Sequence, residues 1–166
     1  MTVFKEKNMA DILLLGDQRL YQVCPPLTEA DHVNLPAWID DLRRVLLACR
    51  SKFGFGRAIA APQLGIMKRL IYMDIGRPMV ILNPELKDLS SETFCLWDDC
   101  LSLPNLLVRV SRHRRLRLEY LDEEWRPRNW DLSDDLAELI QHECDHLNGI
   151  LCTMRAIDNR SFRWRA

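Results

Sequence analysis

The sequence contains no apolar run long enough to span a membrane or form a signal-peptide core; from Met1 to Gln18, acid and base surround a very short apolar stretch. Net charge is almost absent too: 23 basic and 24 acidic residues give a formal charge of -1. No overall field therefore draws the surface to nucleic acid or anionic lipid. Internal repeats, low-complexity tracts and long Gly/Ser linkers are missing, so one compact unit over residues 1–166 is the simplest organisation. Together these absences lead us to expect a soluble, cytoplasmic protein with neither nucleic acid nor membrane as partner.

What is present suffices for a packed core, since 48% of the 166 residues are apolar. Six cysteines (Cys24, Cys49, Cys95, Cys100, Cys144, Cys152) are scattered rather than patterned. Without a secretion signal they read as small buried hydrophobes rather than a disulfide framework. From Asn34 to Gly54, Ile39, Leu42, Val45, Leu46, Cys49 and Phe53 recur at helical spacing, with Asn34 as a cap, Pro36 in the first turn and Gly54 as the stop. Strand-like runs follow at Leu70 to Ile75, Met79 to Leu82, Leu106 to Val110 and Arg115 to Leu121. In the last, Leu116, Leu118 and Tyr120 alternate with Arg115, Arg117 and Glu119, as on a sheet with one wet face. The basic series Arg112, Arg114, Arg115, Arg117 reads as a solvated strand face rather than a nucleic-acid stripe, because Asp122, Glu123 and Glu124 follow at once. A second helix is expected from Ser133 to Gly149, with Asp134 and Asp135 favoured by the dipole of its first turn. Strands first and a helix last, without regular alternation, predict an α+β fold.

That second helix contains His142-Glu143-Cys144-Asp145-His146, an H-E-x-x-H pattern. Residues four apart project from one face about a turn apart, so both imidazoles can meet one ion. Glu143, one step round from His142, can reach water at the ion as a general base without itself being a ligand. A catalytic site of this kind needs a third protein ligand. Cys144 stands roughly 200° round the helix from His142 and should face the core. Cys152 completes H-E-x-x-H-x-x-G-x-x-C, the metzincin protease spacing with cysteine for the last histidine. Cys100 is remote in sequence and needs separate support.

Three segments together supply that support. Gly56-Arg57-Ala58-Ile59-Ala60-Ala61-Pro62-Gln63 is similar to G-x-G-x-A-A-P-Q, Asp98-Asp99-Cys100-Leu101-Ser102 to E-G-C-x-S, and Gln141 to Gly149 matches Q-H-E-x-D-H-x-x-G. In this order and spacing the chain resembles the peptide deformylase family over most of its length. Weaker echoes are Gly16-Asp17-x-Arg19-Leu20 and Leu82-Asn83-Pro84-Glu85. The resemblance implies an α+β fold with the H-E-x-x-H helix surrounded by antiparallel sheets. It implies that Cys100, His142 and His146 bind one divalent ion, Fe2+ foremost, with Zn2+, Ni2+ or Co2+ able to replace it. Glu143 would handle the proton, and Gln63 with the backbone N–H of Leu101 would hold the oxyanion. The reaction implied is hydrolysis of an N-formyl amide to formate and amine, on an N-formylated peptide or small molecule, including nascent chains at the ribosome. A thiolate and two neutral imidazoles leave a divalent ion with one net positive charge, a weaker Lewis acid than a three-histidine site, so a carboxylate base such as Glu143 is needed.

The residues expected to bind substrate are Gly56, Arg57, Ala58, Asp99, Glu138 and Leu139, and the departures from the family pattern fall among and beside them. Ala58 and Asp99 replace glycines, which permit special backbone angles or close approach. Arg57 stands where the family usually has an aliphatic residue of the methionine pocket. Asp135, Glu138 and Leu139 share the face of His142, so two of three positions there are acidic. Asp99 at about 6 Å from a developing oxyanion would cost roughly 2–3 kcal/mol at an effective dielectric near 20. Arg57 is therefore expected to pair with Asp99 or Glu138 across the cleft, or to await an anionic substrate group; the alternative is that these charges point into solvent at the cleft rim. The alternatives to a deformylase are a non-catalytic metal-binding paralogue and a metalloprotease with Cys152 as third ligand.

Overall fold

The computed structural model describes residues 6–165. Met1 to Lys5 of the N-terminal stretch read above, and Ala166, lie outside them. The described chain forms β1 (Ala58–Ala60), β2 (Leu70–Asp74), β3 (Pro78–Lys87), β4 (Thr93–Cys100), β5 (Leu103–His113), β6 (Arg115–Leu121), β7 (Pro127–Ser133) and β8 (Phe162–Trp164), with α1 (Leu35–Phe53) before them and α2 (Asp134–Leu147) between β7 and β8. One antiparallel sheet runs β1-β2-β3-β6-β7 and a second runs β4-β5-β8, the α+β arrangement expected.

In α1 the expected stripe is the buried one: Leu42, Val45, Leu46 and Cys49 are fully enclosed with Leu27, Ile59, Leu64, Leu70 and Leu82. Gly54 ends the helix in the left-handed region, at φ 75°, which its missing Cβ permits. Asn34 does not act as the expected side-chain cap, because its backbone is already helical and its side chain makes no capping bond.

The four anticipated strands exist, but two are much longer than their apolar runs. Asn83-Pro84 does not end β3, since a register shift between Leu82 and Glu85 absorbs the proline that cannot donate to the ladder. Asn83 takes φ 48°, and its side chain accepts from the Leu27 N–H at 2.7 Å and donates to the Leu27 carbonyl at 3.0 Å. β1 and β8 are too short and β7 carries too few apolar residues to announce themselves by pattern, and in β4 the apolar residues Phe94 to Trp97 are consecutive rather than alternating.

All residues of α2 from Ala137 to Leu147 are buried, including six polar ones. Ala137, Ile140, Cys144 and Leu147 pack on Ile71, Met73, Ile81, Leu116, Leu118 and Leu132 of the five-stranded sheet. Its other side meets β5. The side chain of Ser133 makes no cap bond here either, and Asp134 enters the helix at φ 51°. Beyond the helix end, Gly149 has φ 71°, and an added Cβ would lie 2.5 Å from the Tyr21 carbonyl oxygen. The segment that approaches so closely is fixed there by the Cys24 N–H, which donates to the Leu147 carbonyl at 2.9 Å. Gly149→Ala should therefore lose at least about 1–2 kcal/mol, the cost of a left-handed non-glycine residue before the clash is counted. Urea unfolding measures this, and unchanged stability would contradict the close approach.

Candidate metal centre

Strand alternation prepares one side of the centre. Along β4, Asp98 and Cys100 are buried while Asp99 between them is exposed, the period-two pattern of a strand with one covered face. Helix spacing prepares the other, with His142 and His146 one turn apart on α2. The Sγ of Cys100 lies 3.3 Å from His146 Nε2, which lies 3.2 Å from His142 Nε2. All three donor atoms fall within 4.8 Å of one another. A tetrahedral ion bound at about 2.0–2.1 Å by nitrogen and 2.3 Å by sulfur would separate its donors by roughly 3.3–3.6 Å, so the set is spaced to hold one. Cys144 sits on the sheet side of α2 as anticipated, and burial pushes its thiol up to about 12. Cys152 is buried beside Cys100 but lies outside the convergent group of three. All six cysteines are free, and only Cys95 departs from the buried expectation.

The donors are held by a chain of charges that is buried from His142 to Asp145 and ends at the exposed Arg155. His142 Nδ1–H donates to Asp98 at 2.9 Å, which leaves Nε2 free to face an ion. Arg112 donates to Asp98 at 2.9 Å and to Asp145 of α2, and Arg155 donates to Asp145 at 2.8 Å. Arg112 corrects the sequence reading. Its basic neighbourhood predicts a solvated strand face, yet it is 4% exposed. Its neighbours Arg114, Arg115 and Arg117 do lie at the surface, paired with Glu92, Asp134, Asp88 and Glu119. Neither Asp98 nor Arg112 was singled out as a site residue. The available signal was Asp98 two positions before Cys100, hence on the same strand face.

The surrounding charges favour a cation at this point. Burial works against the His142 imidazolium, but Asp98 overrides it and raises its pKa to about 10. Burial likewise opposes ionisation of Asp98, yet His142 and Arg112 hold its carboxyl down at about 2. Burial and the neighbouring His142 drive His146 far below the usual histidine range. One imidazole wants a positive charge and the other stays neutral, a pair suited to sharing an ion in place of a proton. Burial raises the Cys100 thiol, and a coordinated cation is what would deprotonate it.

A cavity of about 330 Å³ opens onto the centre and is lined by Cys100, His142 and Glu143 together with Gly56, Arg57, Ala58, Gln63, Asp99, Leu101, Glu138 and Leu139. Every residue assigned to substrate, oxyanion or proton from sequence is thus brought to one cleft. Glu143 is 3% exposed, its Oε2 has no hydrogen-bond partner among the described residues, and burial raises its carboxyl to about 7. Gln63 accepts from the Ala60 N–H at 3.0 Å and donates to Ser102 Oγ at 3.1 Å, with the same Nε2 3.7 Å from Cys100 Sγ. It both braces its loop and turns its amide nitrogen to the centre.

The departures at the glycine positions carry no backbone strain. Ala58 sits in regular strand pairing and Asp99 pairs with Leu107 just before a register shift between Asp99 and Cys100; neither has a positive φ, whereas Gly56 does, at 118°. Arg57 pairs with Glu138 at 3.1 Å and with Asp135 at 3.2 Å, not with Asp99. Asp99 is exposed and pairs with Arg165 at 2.7 Å, so its charge is compensated by a guanidinium.

A profile of the polypeptide deformylase family matches residues 9–162. The peptide deformylase of Microchaete diplosiphon is 37% identical over 155 residues, covering 87% of this chain and 77% of that protein. That of Thermotoga maritima is 34% identical, covering 86% and 84%. Among solved structures, a Synechococcus elongatus peptide deformylase in complex with actinonin superposes with a TM-score of 0.83 at 31% identity, over 93% of this chain and 85% of that one. The Thermotoga maritima enzyme gives a TM-score of 0.81 at 32% identity, over 89% and 97%.

Removing the charge that orients His142 tests the buried chain. Asp98→Asn should weaken metal affinity by about 10–100-fold, the usual effect of losing such an outer partner. Chelator competition measures it, and unchanged affinity would show that Asp98 does not position the imidazole.

Proposed function

The chain belongs to the polypeptide deformylase family and is a metal-dependent hydrolase, and from that premise we propose that it hydrolyses N-formyl amides, releasing formate and a free amine. The observation that carries this reading is the convergence of Cys100, His142 and His146 beside a buried, unpartnered Glu143 oxygen in an open cleft. Cys100 Sγ, His142 Nε2 and His146 Nε2 would hold a divalent ion, proposed to be Fe2+, with Zn2+, Ni2+ or Co2+ suited to the same donors. When bound, the ion supplies Lewis acidity that activates water as a nucleophile near neutral pH.

The chain's own residues do the rest. Glu143, with its carboxyl at about 7, can take a proton from water and pass it to the departing amine. Negative charge on the formyl oxygen would be met by the Gln63 Nε2–H, on a side chain held by the Ala60 N–H and Ser102 Oγ, and by the backbone N–H of Leu101. Arg57, Glu138 and Leu139 border the space for the remainder of the substrate. The proposed substrates are N-formylated peptides, with nascent chains at the ribosome among their sources, and N-formylated small molecules. The proposed setting is the cytoplasm; among the described residues no helix is long and apolar enough to cross a membrane.

Formate release from formyl peptides by metal-loaded protein tests the reaction. Glu143→Gln should keep its metal and lose about 10²–10⁴-fold in rate, the usual contribution of a positioned base. Turnover that survives this change would remove Glu143 from the proton path. Absence of turnover on every formyl compound would favour the non-catalytic alternative. In parallel, Cys100→Ser should lose metal while Cys152→Ser retains it; the reverse result would support the protease-like ligand set.

A further inference from the structure

We propose that Glu138, anchored by Arg57, makes the cleft select N-formyl substrates whose first side chain ends in a cation, an ammonium or guanidinium group, over those with an apolar chain. This rests on the deformylase reading and narrows its substrate. Glu138 lies one turn before His142 on α2, and a carboxylate oxygen of Glu138 falls within 4.8 Å of both an Asp98 oxygen and a His142 nitrogen. It is 6% exposed and lines the same cavity as Cys100 and Glu143. A substrate whose formyl group reaches the centre therefore brings its neighbouring atoms against this carboxylate.

Among the described residues the one direct cation partner of Glu138 is shared. Asp98 is matched by Arg112 and His142, and Asp99 by Arg165. Arg57 alone serves two carboxylates, Asp135 and Glu138, so one positive charge faces two negative ones. A carboxylate has room for about four hydrogen bonds, and among the described residues Glu138 accepts one side-chain bond, from Arg57. Leu96 and Leu139 on the cavity wall offer packing for the methylene stem of a long cationic side chain. A thioether or alkyl chain would strip water from Glu138 and return no donor, the situation in which polar sites reject apolar analogues most strongly. An anionic chain would be repelled, since among the described residues lining the cavity Arg57 is the one arginine or lysine, and it is already shared.

Formate release should be compared for formyl-lysyl-alanine, formyl-norleucyl-alanine, formyl-methionyl-alanine and formyl-glutamyl-alanine with the metal-loaded enzyme. Lysine and norleucine differ by the ammonium group, and the lysyl peptide should lead in kcat/KM by at least about tenfold. Glu138→Leu should abolish that lead and raise turnover of the methionyl peptide. Equal or better turnover of the norleucyl, methionyl or glutamyl peptide by the unaltered protein would overturn the proposal while leaving the deformylase reading intact. So would a lysyl preference that persists in Glu138→Leu. The wild-type ratio decides on its own if the variant does not fold. Turnover of none of the four would overturn this proposal, while the deformylase reading falls only if no formyl compound is turned over.

Discussion

The chain of charges from Arg155 through Asp145, Arg112 and Asp98 to His142 joins what would otherwise be separate parts of the molecule. Helix α2 is attached to the five-stranded sheet by apolar packing, which fixes its position but exerts little directional control. Its attachment to β4 and β5 is ionic and directional. Burying such charges is expensive and stabilises only when each is paired and hydrogen-bonded. Here Arg112, 4% exposed, sits between two carboxylates, and Asp98, 2% exposed, between a guanidinium and an imidazole. The consequence is orientation: with Nδ1 committed to Asp98, His142 has one nitrogen left, and it faces His146 and Cys100.

The alternation of β4 divides the acidic pair Asp98-Asp99 between two jobs. Turned inward, Asp98 orients a ligand. Turned outward, Asp99 meets Arg165, whose guanidinium also lies over the Phe55 ring at 3.8 Å. The same alternation carries Cys100 inward, where a thiol is otherwise an inert buried group. An acidic residue beside the cysteine is thus compatible with a developing negative charge in the cleft, because Arg165 compensates its carboxylate. On α2 no such separation operates, and Glu138 stays on the face of His142. That is why the polar character of the cleft centres on Glu138 and Arg57.

Legibility from sequence followed the strength of local periodicity. α1 and β6 carry full apolar patterns and were readable to within a residue or so. β3 was readable only as far as Leu82, because a bulge secured by Asn83 lets the strand continue through Pro84, and that bulge depends on Leu27, far away in the chain. Asn34 and Ser133 look like caps by residue type, but neither side chain closes a capping bond in the folded backbone. Arg112 was misread for a related reason: its surface-like sequence neighbourhood does not reveal two buried acids, one on β4 and one on α2.

The sequence by itself determined the chemistry that local spacing can encode. Two histidines four apart with a glutamate between them define a helix face and a proton carrier, and the three motif segments tied Cys100 to them. Tertiary structure alone decided which neighbouring charges meet. Arg57 could have answered Asp99, Glu138 or a ligand, and only the packing of β1 against α2 gave it to Glu138 and Asp135, while the return of β8 along β5 gave Asp99 to Arg165. Pairing of side chains some 66 to 81 residues apart is set by how sheets and helix stack, and no local period in the chain records it.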